Sequence, residues 1–330
     1  MIDRRRLLCG TGLAVAAGFV PWPLAAGGSG APLRLASVRF GSLSWVIETV
    51  RALELDTKAG LPIEVIEVAS NQAGPVALLG NGADVIVSDW TWAMRQRALG
   101  EKLKFAPYSS AVGALVVPND SDIHGVQDLQ GRQLGVAGSA IDKSWLLLRA
   151  YSQRLIGRDM ARYARASYGA APLLNEELRS GRIEAVLNFW TYAARLTGTG
   201  YREVISVGEI MKALGVDPVP SLVGFIWKES YEATNARELQ TLLAVVQEAN
   251  RILATDDSAW DRLRPLVKPE SDGEFEAIKA AYRAGIPDAW GSAQTEAAKK
   301  LMEVLIEAGD AELIGHGTNF DPGLFHHAAT

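Results

Sequence analysis

Short apolar runs alternate along this chain with segments whose apolar positions recur at helical spacing, a pattern that predicts an α/β fold with mainly parallel strands. Strands are expected at LRLASVRF (33–40), PIEVIEVA (62–69), ADVIVSD (83–89), KFAPYSS (104–110), GALVVP (113–118), QLGVAG (133–138), EAVLNFW (184–190) and VGFIWK (223–228). Between them, Leu43, Val46, Ile47, Val50 and Leu53 fall on one helical face, as do Ile141, Trp145, Leu148 and Leu155. Beyond Lys228 the strand pattern stops, and helices are expected over 235–254, 257–267, 272–284 and 293–308.

Two stretches read as crossings between lobes: YSSAVGALVVPNDSD (108–122), after which a new strand–turn–helix series begins, and DPVPSLVGFIWKES (217–230), whose last strand can return to the first lobe. The expected organisation is one lobe from 27–112 with 223–330 and a second from 113–222, joined by a two-segment hinge suited to closing around a ligand. The lobes open alike, since FGSLSWVIETV and AGSAIDKSWLLL both follow a strand with Gly-Ser, a Ser-Trp pair and an apolar-periodic helix. Such turns sit at the carboxyl ends of strands, where open α/β sheets bind ligands.

Composition narrows the class. With 330 residues, 48% hydrophobic and 22% charged, the chain can bury a large core. Residues 1–26 read as an export signal: a basic start, an apolar segment from Leu7 to Val20, and small residues at Ala25, Ala26 and Gly27. Arg4-Arg5-Arg6-Leu7-Leu8 resembles the twin-arginine pattern, with a Sec signal carrying an extra arginine as the alternative. The single cysteine, Cys9, lies in that segment, so a mature chain has no disulfide and no cysteine nucleophile. Cleavage also removes Arg4, Arg5, Arg6 and Asp3, leaving 30 basic against 37 acidic side chains, which argues against a nucleic-acid partner.

Candidate ligand residues gather at the strand ends. Gly41-Ser42 and Gly138-Ser139 are turns where the backbone can approach a ligand and helix N–H groups can take an anion; helix capping alone, with Ser139 and Asp142 as a capping box, is the other reading. Ser70-Asn71-Gln72 is a weaker turn of the same kind. In ADVIVSDWTW a buried run spills into Asp89, Trp90 and Trp92, and AVLNFWTYAARL repeats the device with Asn188, Phe189 and Trp190. Asp89 is either an N-cap or a ligand group, and Trp90 and Trp190 either sandwich a ligand across the cleft or pack inside their own lobes. The four histidines lack metal-ligand spacing, and there is no nucleophile elbow or Gly-rich phosphate fingerprint, so neither an enzyme nor a cofactor is expected.

These residues carry a resemblance. LLGNGADVIVSD (78–89), GVQDLQGRQLGVAGS (125–139) and ELRSGRIEAVLNFWTYAARLTGTGYREVI (177–205), with the Gly-Ser turn at 39–42, resemble the nitrate, taurine and aliphatic-sulfonate family of ABC-transporter periplasmic binding proteins, over roughly residues 33–230. The resemblance implies a two-lobe, type II periplasmic binding fold with ligand held by loops 40–45, 70–72, 88–92, 108–110, 138–142 and 188–192, which keeps Asn71 and Gln72 and adds Phe40, Trp45, Ser109 and Ser110 to the candidate set. It also implies a monomeric periplasmic protein that hands a small molecule to an inner-membrane permease. Trp90 and Trp190 depart from the family pattern and favour a larger organic ligand than nitrate or taurine. Two alternatives share the fold: a ligand-sensing protein without a transporter, and the pyrimidine-forming enzymes of thiamine biosynthesis, which rely on a cysteine-rich loop.

Overall fold

A computed structural model describes residues 31–38, 41–70, 72–308, 315 and 319–326. The export-signal reading, Phe40 and Asn71 lie outside the described residues. The first series runs β1 (Leu33–Val38), α1 (Leu43–Ala52), α2 (Leu55–Lys58), β2 (Ile63–Val68), α3 (Ala73–Leu79), β3 (Val85–Asp89), α4 (Trp90–Ala98) and β4 (Leu103–Ser109). The second runs β5 (Ala114–Pro118), β6 (Gln133–Ala137), α5 (Lys143–Ile156), α6 (Met160–Tyr163), β7 (Arg165–Gly169), α7 (Ala171–Arg179), β8 (Ala185–Asn188), α8 (Trp190–Thr197), β9 (Tyr201–Ser206) and α9 (Val207–Ala213). The chain then returns through β10 (Val223–Lys228) to α10 (Glu229–Thr255), α11 (Asp257–Val267), α12 (Asp272–Ala284) and α13 (Ser292–Glu307).

The strands form two five-stranded sheets, ordered β2-β1-β3-β10-β4 and β7-β6-β8-β5-β9. Each is parallel except for one inserted strand, and each inserted strand is the first to follow a crossing: β10 lies antiparallel between β3 and β4, and β5 antiparallel between β8 and β9. Both insertions need glycine for close approach. A Cβ on Gly113 would stand 2.0 Å from the Asn188 carbonyl oxygen, and one on Gly224 would stand 2.2 Å from that of Ala106. Because β5 starts opposite Asn188 and β10 starts opposite Asp89, both crossings run along the carboxyl-terminal edges of the sheets. There the two connections touch: the Ser110 and Ser221 hydroxyls are 2.7 Å apart, and the Ser110 amide donates to the Gly285 carbonyl at 2.8 Å.

Packing does not stop at the sheet boundaries. One buried cluster joins Ile86, Trp90 and Phe105 to Leu115, Val136, Trp145, Leu301 and Leu305. The C-terminal helices bridge both halves, α13 against α5 and α12 against α8. The second contact is fastened by Arg195, which pairs with the fully buried Glu274 and donates to the Val267 carbonyl at 2.7 Å, while Gly198 lies so close to Gly273 that a Cβ there would sit 2.6 Å from its carbonyl oxygen. No helix among the described residues is long and apolar enough to cross a membrane.

Seven of the eight expected strands have counterparts close to their predicted bounds; the eighth, at 184–190, stops at Asn188 because α8 begins at Trp190. Two strands were not anticipated. Both β7 (RASYG) and β9 (YREVIS) are edge strands with partly exposed side chains, so neither carries the apolar run that marks a buried strand. The expected helix at 235–254 is the longer part of α10, which starts earlier and breaks helical geometry at Asn235. On α5 the consecutive residues Trp145, Leu146, Leu147 and Leu148 are all buried, so this turn is enclosed on most sides, whereas Ile141 and Leu155, expected on one face with Trp145 and Leu148, are exposed. Ile141 precedes the helix, so its side chain does not follow helical phase.

Candidate functional site

The facing edges of the two sheets carry helix starts of two kinds. Both α4 and α5 are capped by their own carboxylates: Asp89 accepts from the Trp92 amide at 2.9 Å, and Asp142 accepts from the Ser144 amide at 2.9 Å. By contrast α1 starts at Ser42 with no side-chain cap; the Ser42 hydroxyl turns instead to the Tyr108 hydroxyl, 3.1 Å away. Next to it lies a cavity of about 150 Å³ lined by Gly41, Ser42, Ser70, Val87, Tyr108 and Val223 among others, with no charged side chain. Burial pushes the Tyr108 hydroxyl well above the ordinary tyrosine range, with Ser42 pulling weakly the other way, so it stays a neutral hydrogen-bonding group. Its volume, set against about 30 Å³ per liquid water, suits a small polar head group.

A larger groove, about 640 Å³, opens on the other flank of α1 and shares Ser37 and Val38 with the smaller cavity. Trp45, Tyr192, Arg195 and Lys268 line it. Ser37 and Val38 at the end of β1, Ser44 and Trp45 at the start of α1, and Tyr192 at the start of α8 put this groove at the strand ends as well, but with Glu48, Arg51, Arg195 and Lys268 its lining is charged where that of the smaller cavity is neutral. A third, about 550 Å³, sits behind the crossings between Ser110, Trp190 and α12.

Several expectations at the strand ends are corrected. Trp90 does not face the cleft: it is fully buried, with its ring 6.0 Å from that of Phe325 and its indole Nε1 without a hydrogen-bond partner. The α4 start rotates it inward because Asp89 takes the cap position and Trp90 the first helical one. Trp190 is half-buried, set edge-on to Trp45 at 6.0 Å and tilted against Tyr282 at 6.3 Å, so the two indoles do not form a sandwich. Asn188 is buried and spent internally: its amide donates to the Ala171 carbonyl and to Asn175, and its oxygen accepts from the Phe189 amide. The capping box of Ser139 with Asp142 is also corrected, since Asp142 is itself the cap of α5.

The remaining candidates distribute plainly. Gly41 and Ser42 line the small cavity; Trp45 is buried beside the larger groove; Gln72 is exposed at the start of α3. Ser109 caps the turn into the first crossing by accepting from the Ala111 amide, and Ser110 ties the crossings together. Gly138 has φ +91° in a turn that glycine tolerates, and with Ser139 it is exposed at the edge of the second sheet. Asp89 is both cap and cleft group: besides Trp92 it accepts from Thr91, and Lys143 of α5 reaches it from the other sheet at 3.3 Å. Burial pushes its pKa up, but Lys143, Thr91 and the Trp92 amide together outweigh that and hold the carboxyl below its ordinary range. Asp142 differs: burial raises it and its neighbours do not compensate.

Sequence reasoning missed Lys143 and Tyr168, and reached Tyr108 and Phe189 only as members of the loops 108–110 and 188–192. Tyr108 occupies an ordinary strand position, and Lys143 follows a cap residue as any solvated lysine could. Tyr168 belongs to the unrecognised strand β7; it and Phe189, with Ile141, are exposed apolar side chains at the edge of the second sheet. Among the described residues no group of three His, Cys, Asp or Glu side chains could hold a metal ion.

Two α/β halves with a strand exchanged at each crossing define the periplasmic binding protein fold. Solved structures match on that basis: the aliphatic sulphonate binding protein SsuA of Escherichia coli (TM-score 0.70, 17% identity, covering 91% of this chain and 93% of that one) and the alkanesulfonate-binding protein SsuA of Xanthomonas axonopodis pv. citri bound to MOPS (TM-score 0.67, 15% identity, 90% and 99%). The chain belongs to the NMT1/THI5 like family, whose model matches residues 57–253. Among curated proteins no sequence matches.

Proposed function

We propose that this chain is a periplasmic solute-binding protein that captures a small organic anion, sulfonate- or carboxylate-like, between its two halves and delivers it to an inner-membrane ABC importer. The observation that carries the reading is the uncapped start of α1 beside a neutral cavity lined by Gly41, Ser42, Ser70 and Tyr108. Peptide N–H groups and hydroxyls there offer hydrogen bonds to an anion, and the helix dipole favours negative charge. The exposed Ile141, Tyr168 and Phe189 offer the opposite edge as a surface for an apolar or aromatic body. Sulfonate-binding proteins among the structural neighbours support the ligand class by analogy of fold.

Binding rather than catalysis is proposed because the pyrimidine-forming relatives rely on a cysteine-rich loop, and this chain has one cysteine, Cys9. The connections near Ser110 and Ser221 serve as the hinge of closure, with 27–112 and 223–330 opposed to 113–222. The test is a thermal-shift screen over sulfonates, aromatic acids, pyrimidines and quaternary amines, because a ligand that binds only the folded state raises the melting temperature. Sulfonates or carboxylates should stabilise and should also compact the protein in small-angle scattering; stabilisation confined to cations would overturn the reading.

A further inference from the structure

Lys143 is the first residue of α5, on the second sheet's side of the cleft, and its ammonium reaches Asp89, the last residue of β3, on the first sheet's side. The side chains keep 21% and 29% exposure, so the pair sits in a narrow gap that solvent still enters. The partners are not equivalent. Asp89 is fixed without the lysine, by the Trp92 amide and the Thr91 hydroxyl, while Lys143 is a point charge on a flexible four-carbon stem.

Their position relative to the small cavity follows from the register. Asp89 lies directly opposite Val223 across β3 and β10 and two residues beyond Val87 on the same strand face, and both valines line the cavity. Asp89, with the Lys143 ammonium 3.3 Å from it, is therefore the next position along the strands from two lining residues of a cavity whose own lining holds neither side chain and no charge. Asp142, the neighbour of Lys143, is committed to the cap of α5. Because Asp89 keeps the Trp92 amide and the Thr91 hydroxyl whether or not the lysine stays, Lys143 is the partner of the pair that can move.

We propose that Lys143 is the charge receptor of the cleft: in the empty protein its ammonium rests on Asp89, and on capture of an organic anion it turns to the anionic group of the ligand. Lys143 then sets the preference for an anion over a neutral molecule of the same shape, and Asp89 lowers anion affinity by competing for the same ammonium. This rests on the anion-binding reading above. The test is calorimetry with butanesulfonate, benzenesulfonate and benzoate, each paired with its neutral amide, on the full chain and on Lys143→Met, Lys143→Gln, Asp89→Asn and the Lys143→Met/Asp89→Asn double variant. Asparagine keeps the cap, so Asp89→Asn isolates the competition. Both Lys143 variants should lose about tenfold in anion affinity, the scale of a charge-assisted hydrogen bond, with little change for the amides. Asp89→Asn should gain several-fold for the anions, and the double variant should match Lys143→Met. Unchanged anion affinity in both single variants, or equal losses for anion and amide, overturns the proposal and leaves the binding role standing. If the unaltered chain binds none of the three anions, the anion reading fails first and this proposal with it.

Discussion

The two strand ends SDWTW and NFWTY look like copies, yet the fold uses them in opposite ways. At the first, the polar residue Asp89 faces the cleft and the indole of Trp90 is sealed in the core; at the second, the polar residue Asn188 is sealed and the indole of Trp190 sits half-buried between the halves. A cap decides the difference. Asp89 accepts from the helix behind it, which sets its carboxylate at the edge and turns Trp90 inward, whereas α8 has Phe189 in the cap position and no side-chain cap at all. Asn188 is instead drawn inside by Asn175 and Ala171, against the glycine that lets β5 approach. Similar local sequence thus yields different roles once neighbouring strands claim the hydrogen bonds.

The largest test of this contrast is truncation of the two indoles. Trp90→Ala should cost about 3–5 kcal/mol of stability, as large core truncations do, whereas Trp190→Ala should cost about half as much or less. Trp90→Phe should recover most of the loss, because it refills the site and removes the unpartnered Nε1. Chemical denaturation measures all three, and equal losses at Trp90 and Trp190 would erase the contrast.

A smaller effect is expected from the polar pair. Asn188→Ala leaves the Ala171 carbonyl and the Phe189 amide without their partner and should cost about 2–3 kcal/mol, while Asp89→Asn, which preserves the cap, should cost about 1 kcal/mol or less. Denaturation of these variants beside the unaltered chain reads the order directly; a larger cost at Asp89 would mean that its ion pair, not its cap, holds the edge.

The most delicate test is pH. Asp89 has its folded pKa lowered, so its contribution is fully present above the ordinary carboxylate range and is lost as pH falls through the depressed value. Asp142 has its folded pKa raised, so ionising it weakens the fold, and that loss appears as pH rises from the ordinary range through the raised value. Melting temperature between acid and neutral pH should therefore rise less steeply in Asp89→Asn and more steeply in Asp142→Asn than in the unaltered chain. Parallel curves would show that the two carboxylates share one environment.

Much of the architecture was legible because it rests on periodicity. The apolar runs marked the central strands and the edge strand β2, whose isoleucines and valines are half-buried, the helical spacing marked α1 and the C-terminal helices, and the prolines and glycines near 108–122 and 217–230 marked the crossings. Edge strands β7 and β9 escaped because half-exposed strands need no apolar run. The candidate site was legible only as a set of turns. Gly41, Ser42, Asp89 and Gly138 do lie at the facing edges, since carboxyl ends of strands are fixed by topology.

Sequence by itself determined the α/β class, the two crossings and the edges at which polar turns gather, because local periodicity and glycine placement are properties of a segment. Which member of each turn faces the cleft was decided by tertiary structure. Trp90, Asn188, Tyr108 and Lys143 owe their roles to partners far along the chain: Phe325 for the first, Asn175 and Ala171 for the second, Ser42 for the third and Asp89 for the fourth. Hydrogen bonds and ring contacts between segments that meet only after folding leave no trace in the spacing of residues along one of them.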